Sequence, residues 1–287
     1  MSKLHILLVS GLLVTCSVLA SGQKSIQLSS MTFNIRYASA DDKDNSWQFR
    51  HQRVVKMIKM VHPDILGLQE AEQRQLTDIL SKLTDYRFVG VGRDDGKTRG
   101  EYSPILYQFE LFKLLQHHTF WLSDTPEIAG SKSWGNDIPR ICSWARFEEI
   151  NTGKTFYVFN MHWDHISQPS RIKSARLVLN VISRREFADD PVVVMGDFNV
   201  GGDNPAFSAL LTSAHQPLVD AFAATHPQTN LKQGTFHGFT GIATLPRIDA
   251  ILVSENIKVI HSDILKQQFD EHFPSDHFPL SALLEVK

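Results

Sequence analysis

Asp197 and Asn199 stand two positions apart, directly behind the apolar run 191–195. A period of two puts both side chains on one side of an extended chain. Both offer oxygens that suit a hard cation or a polarised water. An Asx turn after a strand uses the same residue types, so the pair alone does not decide between turn and site. The pattern recurs along the chain. Asn34 closes one apolar run, and Glu70 follows Leu66-Gly67-Leu68-Gln69. Asn160 and His162 share a face at the end of another run, Asp249 opens a third, and Asp276-His277 precede the last. Each has an ordinary role when taken singly: a turn residue for Asn34, a satisfied core imidazole for His162, a loop acid for Asp276. Glu70 would suit the start of a helix near Ala71, where the macrodipole favours an anion. Together they read differently. Polar groups repeated at strand ends converge on one rim of a sheet, where they must be paired or bind something.

The elements that must position these residues are mostly extended. Apolar and β-branched runs cover 26–35, 65–68, 88–91, 104–107, 112–122 and 140–148, then 155–161, 191–195, 248–253, 257–265 and 280–286. Helical periodicity appears between some of them. Val54, Met57, Ile58 and Val61 share a face that Pro63 terminates; Ile172, Ala175, Leu179 and Ile182 share another. Ala206, Leu210 and Leu211 suggest a short helix after Pro205. Many strands with few helices predict an α/β or α+β domain. Short turns such as Asn151-Thr152-Gly153-Lys154 predict much antiparallel pairing. With no repeat and no low-complexity linker, 23–287 is expected to form one domain.

Residues 1–22 are expected to be a secretory signal peptide: Lys3 and His5, an apolar stretch, then Val18-Leu19-Ala20 as a cleavage signal. The apolar stretch is too short and too interrupted for a membrane anchor, so no transmembrane segment is expected after cleavage. Thr15 before Cys16 disfavours lipoprotein anchoring. A secreted or periplasmic location follows. Cys142 would then be the lone cysteine, so no internal disulfide staples the fold. At 287 residues and 42% apolar content the chain can build a large core. A net charge of -2 argues against a basic arm for long duplex nucleic acid.

In their order, these segments resemble the motif set of the endonuclease/exonuclease/phosphatase superfamily. That group includes pancreatic-type deoxyribonuclease, apurinic endonucleases, neutral sphingomyelinases, inositol polyphosphate 5-phosphatases and deadenylase-like enzymes. Gly196-Asp197-Phe198-Asn199 with Ser275-Asp276-His277 carries most of the likeness, and Leu68-Gln69-Glu70 strengthens it. Gly92-Arg93-Asp94-Asp95-Gly96, Gly100-Glu101-Tyr102-Ser103-Pro104, Thr119-Phe120-Trp121-Leu122-Ser123 and Gly234-Thr235-Phe236-His237-Gly238-Phe239 resemble a secreted or bacterial subgroup. The fold so implied is a four-layer α/β sandwich, two mostly antiparallel or mixed β-sheets face to face with helices outside.

The resemblance implies a Mg²⁺-dependent phosphoesterase, with Mn²⁺ as a substitute, in which an activated water attacks a phosphodiester or phosphomonoester. It implies that Glu70 holds the metal, helped by Asn34 and Asp276. His277 is then the general base or a phosphate-contacting imidazole, oriented by Asp249 or Asp276. Asp197 positions the water or acts as base, and Asn199 donates its amide to a phosphate oxygen. His162 contacts the phosphate as a second imidazole, paired with Glu101, whose spacing to Pro104 departs from the nuclease pattern.

Beyond the family motifs, Arg140 and His165 are candidates to hold a further phosphate oxygen. Asp164 is a candidate for a second metal. His162, Asp164 and His165 follow a strand and lack the helical spacing of a zinc pair. Trp47, Trp134, Trp163 and Phe236 could stack a base or a sugar, or simply pack. The expected partner is the ester substrate alone, with no stable protein partner. The absence of a basic surface favours a small ester; an extracellular nuclease is the alternative. A non-catalytic binding module on the same fold is disfavoured, because the chain retains the full set from Asn34 to His277.

Overall fold

Val192-Val193-Val194-Met195 is β-branched and unbroken by polar residues, the pattern of a strand covered on both faces. In the computed structural model, which describes residues 25–227 and 233–287, all six residues of the strand Val192–Asp197 are buried. The predicted leader, 1–22, lies outside the described residues. The first half of the chain runs β1 (Ile26–Asn34), α1 (Trp47–Val61), β2 (Ile65–Gln69), α2 (Gln73–Leu80), β3 (Tyr86–Val89), β4 (Ile105–Gln108), β5 (Phe112–Trp121) and β6 (Ile141–Glu149). The second half runs β7 (Thr155–His162), α3 (Gln168–Ser183), β8 (Val192–Asp197), α4 (Pro205–Leu211) and β9 (Leu218–Asp220). It ends with α5 (Ala221–Thr225), β10 (Asp249–Ser254), β11 (Ile257–Ile264) and β12 (Leu280–Val286).

The strands form two six-stranded sheets, ordered β11-β12-β1-β2-β4-β3 and β5-β6-β7-β8-β10-β9. Each sheet holds one parallel pair at its centre, β1 with β2 and β7 with β8; the other pairs are antiparallel. A parallel pair needs a long crossover, and α1 and α3 supply the two. The sheets face each other across an apolar core that mixes Leu28, Ile65 and Ile105 of one with Phe147, Val193 and Ile251 of the other. Two further clusters lie outside: α1 and α2 cover the first sheet, α3 and α4 the second. The expected four-layer sandwich is the observed one. Wholly buried side chains such as Val193 and Ile251 contribute roughly 1.5–3 kcal/mol each.

Some elements differ from expectation. The run at 88–91 pairs two residues earlier, as Tyr86–Val89, because Gly90 takes φ +133 and ends the strand. The short β9 and α5 carry too few residues for periodicity to register. On α3 the buried face is Ser170, Ser174, Ala175, Val178 and Ile182, while Ile172 and Leu179 are only partly covered. The α2 cap is Glu72, which exchanges a capping box with Gln75. Glu70 is therefore left free of the helix.

The loop ahead of β10 folds back onto the last strand's approach. Its His237 is 4% exposed and stacks on Phe278 at 3.9 Å. Nδ1 accepts the Gly241 N–H at 3.2 Å, and Nε2 is buried without a partner. Burial, then the charge of His277, holds this imidazole down at about 4 against an ordinary value of 6.5. Below pH 6.5 the unfolded chain takes up a proton that the folded chain refuses. Stability is thus fully present above that value and is lost as pH falls toward about 4, by up to about 1.4 kcal/mol per pH unit. His237→Gln is expected to flatten this dependence in urea unfolding between about pH 4.5 and about pH 7. An unchanged slope would assign the acid sensitivity to other groups.

Candidate active site

Parallel strands bring their C-terminal ends to the same rim, and antiparallel neighbours bring their N-terminal ends there. The polar residues therefore meet. Asn34 ends β1, Glu70 follows β2, His162 ends β7 and Asp197 ends β8. Asp249 opens β10 directly opposite Asp197, and His162 is in register with Asp197 on the other side. Asp276 and His277 arrive on the segment before β12, where His277 bridges to Phe236. Glu70, His162, Asp197, Asn199, Asp276 and His277 line one cleft of about 680 Å³. Asn34 and Asp249 stand buried behind that lining. Gly196 lets β7 and β8 close up at this point: its φ is +151 and a Cβ would meet the Met161 carbonyl oxygen.

Asp197 is the hub. Its Oδ2 accepts the Asn34 amide at 2.9 Å and lies 3.5 Å from His162 Nε2 and 3.8 Å from His277 Nε2. Its Oδ1 accepts the Asn199 N–H at 2.9 Å. Burial, with Asp249 close by, raises its carboxyl well above the usual range. His277 bonds Asp249 Oδ2 through Nδ1 at 2.8 Å. Burial opposes a charge on that ring, yet Asp249, Asp197 and Asp276 together lift it to about 10, so it is an imidazolium at neutral pH. His162 goes the other way: burial, then Arg140 and Arg93, hold it well below its ordinary value, and it is a neutral ring. Asn199 spends one amide hydrogen on the Trp163 carbonyl at 2.9 Å and has the other left for the cleft.

Glu70 occupies the opposite wall at φ +60, an uncommon conformation that the hydrogen bonds around it sustain. Its Oε1 accepts from Asn34 at 3.1 Å and its Oε2 from the Tyr37 N–H at 3.1 Å. Asn34 turns its nitrogen, not its oxygen, toward Glu70 and Asp197; the oxygen accepts the Arg36 N–H at 3.0 Å. In this arrangement Asn34 bridges two carboxylates through its amide nitrogen. Asp276 Oδ1 accepts the Ser275 hydroxyl at 3.1 Å, and Oδ2 lies 3.8 Å from Arg36 Nε. Burial raises its carboxyl, and Glu70 adds to the rise. Two carboxylates that repel across one space fit a hard divalent cation. Asp197, Asp249 and His277 also bring one ligand atom each within 4.8 Å of one another, and this buried group could hold a metal.

The third wall departs further from expectation. Glu101 lies 3.9 Å from His162 Nδ1, too far to bond it, and both its oxygens are taken by the Arg93 fork at 2.8 and 2.5 Å. Arg93 is the residue that sequence reasoning missed. Its signal was its place opposite Glu101 across a glycine-bracketed loop. Arg36 and Tyr37 were missed too, although Arg36 shares the period-two face of Asn34. Asp164 is engaged locally: Oδ1 caps the Ile166 and Ser167 N–H groups at 3.0 and 2.7 Å, and Oδ2 faces Arg140 at 3.5 Å. Arg140 and His165 bond each other at 2.9 Å and both line the cleft. Of the four aromatics, Phe236 alone lines it, with its ring 5.2 Å from that of His277. Trp47 and Trp163 are core residues, and Trp134 packs against the α3 side of the second sheet.

The chain is similar to known proteins over most of its length. Residues 31–277 match the Endonuclease/Exonuclease/phosphatase family. An endonuclease/exonuclease/phosphatase structure from Bacteroides vulgatus superposes with a TM-score of 0.85 at 36% identity, over 91% of this chain and all of that one. A mannosyl-6-phosphatase from Bacteroides thetaiotaomicron gives 0.80 at 34% identity, over 90% of this chain and 99% of that chain. An uncharacterized protein of Acanthamoeba polyphaga mimivirus is 31% identical over 188 residues, 62% of this chain and 68% of that protein. With the family spanning every strand end that builds the cleft, the chain belongs to the endonuclease/exonuclease/phosphatase family and is a hydrolase of phosphate ester bonds.

Proposed function

We propose that this phosphoesterase cleaves a small phosphate ester outside the cytoplasm, using Mg²⁺ or Mn²⁺ held by Glu70 and Asp276. The observation that carries the small-substrate reading is the cleft itself: about 680 Å³, walled by the Arg93–Glu101 pair, Arg140 and Phe236. The net charge of -2 leaves no surplus of cations for a long duplex. The likeness to a mannosyl-6-phosphatase supports the same reading. The extracytoplasmic site rests on the leader-like residues 1–22. Among the described residues no helix is long and apolar enough to cross a membrane.

The roles follow from charge state and reach. Asp197 accepts the proton of the attacking water; a carboxyl raised by burial is a stronger base than an exposed one. His277, charged and held by Asp249, donates from Nε2 to a non-bridging phosphate oxygen. This favours its phosphate-contacting role over that of general base. Asn199 donates its free amide hydrogen to the same group. His162, neutral, donates to or accepts from the phosphate according to its tautomer. When bound, a divalent ion would neutralise charge on the phosphate and on the departing oxygen. Glu70, kept in place by Asn34 and Tyr37, and Asp276 are the carboxylates that would hold it.

Asp197→Asn and His277→Gln keep the shape of the site. Each is expected to lower kcat by about 10²–10⁴-fold with little change in melting temperature. The measurement is a metal-supplemented panel of sugar phosphates, nucleotides and short oligonucleotides. Oligonucleotide cleavage exceeding that of every small ester would move the substrate to nucleic acid. Near wild-type turnover in either variant would remove these residues from the chemistry. Glu70→Gln is expected to raise the Mg²⁺ concentration for half-activation by at least about tenfold. An unaltered activation curve would move the metal to the Asp197, Asp249 and His277 group.

A further inference from the structure

We propose that Arg140 makes the cleft selective for phosphomonoesters, by reserving a buried guanidinium fork for a terminal phosphate oxygen. The proposal deepens the phosphoesterase reading and rests on it. Arg140 directly precedes β6 and is 3% exposed; its carbonyl is fixed by the Leu122 N–H at 2.7 Å. The other arginines of the cleft have their forks bonded to carboxylates. Arg36 gives its fork to Asp42 at 2.9 and 3.0 Å, and Arg93 gives its fork to Glu101. The Arg140 side chain makes one hydrogen bond among the described residues, from Nη2 to His165 Nδ1. Asp164 Oδ2 lies 3.5 Å from Nε as an ion-pair partner, its Oδ1 capping the turn, and Nε is buried with no hydrogen bond. Nη1 bonds to no described residue and, unlike Nε, is not sealed from solvent. A buried guanidinium with donors unspent is costly unless something anionic completes it.

The place of that vacancy determines what completes it. Arg140 lines the cleft beside His162, whose Nδ1 is also buried without a partner. His162 in turn lies 3.5 Å from Asp197, the water-binding carboxylate. Arg140 thus lines the same cleft as the Glu70 and Asp276 carboxylates, on the His162 side. A terminal phosphate carries close to two charges and has three oxygens free of carbon. One oxygen goes to the metal-holding wall, one to His277 and Asn199, and the third to Arg140. In a diester that third oxygen carries a carbon substituent and the group holds a single charge. The substituent would press against the guanidinium and leave its donors unpaired. The Nη2 bond also commits His165 Nδ1 as an acceptor, so its Nε2 carries the proton and remains a second donor on that wall.

The test compares binding of inorganic phosphate and of dimethyl phosphate by calorimetry, in Mg²⁺, to the wild-type protein, Arg140→Gln and Arg140→Lys. The wild type is expected to hold phosphate at least about tenfold tighter than dimethyl phosphate. Arg140→Gln is expected to lose about 10- to 100-fold for phosphate and little for dimethyl phosphate. Arg140→Lys, which keeps the charge without the fork, is expected to fall between, and it carries the test if the Gln variant does not fold. No preference in the wild type overturns the proposal, and so does an equal loss for both ligands in the variants. Turnover of p-nitrophenyl phosphate by the wild type is measured in parallel. If that ester is not cleaved while phosphate binding still depends on Arg140, the hydrolytic reading fails and the anion site stands.

Discussion

Asn160 crosses from one sheet to the other and makes three hydrogen bonds there. Its amide nitrogen donates to the Leu68 and Pro104 carbonyls at 2.7 and 2.8 Å, and its oxygen accepts from Gln69 at 2.7 Å. Gln69 also donates to Thr32 at 3.0 Å, so the bridge reaches β1 as well. All three side chains are fully buried. The contact exists because residue 67 is glycine: a Cβ there would stand 2.8 Å from Asn160 Cγ and 2.6 Å from Met195 Sδ. The core between the sheets is otherwise mainly apolar, and apolar contact has no direction. It holds the sheets together without fixing how one sits over the other. A buried polar bridge does fix it, since each unmade bond would cost roughly 1–3 kcal/mol. Glu70 is one residue beyond Gln69, and His162 two beyond Asn160. The bridge therefore sets the distance between the wall that carries Glu70 and the wall that carries Asp197.

That spacing makes the electrostatics of the rim consistent. Asp197, Asp249 and Asp276 are buried carboxylates on different elements, and His277 lies among them as the compensating cation. Asn34 spans the gap on the other side by donating to both Glu70 and Asp197. Arg50, buried beneath the site, secures the loops by donating to the carbonyls of Ile35, Arg36, Asn45 and Pro274. Its bonds tie the segment after β1 to the segment that delivers Asp276 and His277. Glu70, Arg36 and Asn199 all take positive φ, and each lies within this hydrogen-bonded frame. Strain of that kind persists only where the surroundings over-determine it.

Much of this was legible in the chain itself. Strand ends are visible because apolar runs stop abruptly at Asn34, Gln69-Glu70, His162 and Asp197, and a parallel pair must deliver such ends to one rim. Less legible was what each side chain does once there. Asn34 is expected as a metal helper from the family resemblance, and only the structure shows its amide bridging Glu70 and Asp197. Glu101 is expected beside His162 from the family pattern, and a guanidinium eight residues earlier captures it instead. That competition involves a loop, where no periodicity fixes which side chains meet. The same limit explains Asp164, an acid in a turn whose N–H groups take it first. The α3 face is misplaced for a different reason: pattern reading weighs large apolar residues, whereas the buried face of α3 includes the small Ser170 and Ser174.

The capture of Glu101 by Arg93 has a consequence for the chemistry of the cleft. Had Glu101 bonded His162, the ring would have been stabilised as a cation. With both oxygens turned to Arg93, His162 is held neutral by its burial first and then by two guanidinium charges. The cleft then carries one imidazolium, at His277, and one neutral imidazole, at His162, on either side of Asp197. Two identical rings are thereby given different tasks by the partners behind them, Asp249 for one and Arg140 with Arg93 for the other. Arg140 keeps Asp164 as its counterion, Oδ2 lying 3.5 Å from Nε, while Glu101 is spent on Arg93. A wall with two guanidiniums, one of them with donors unspent, favours an anion.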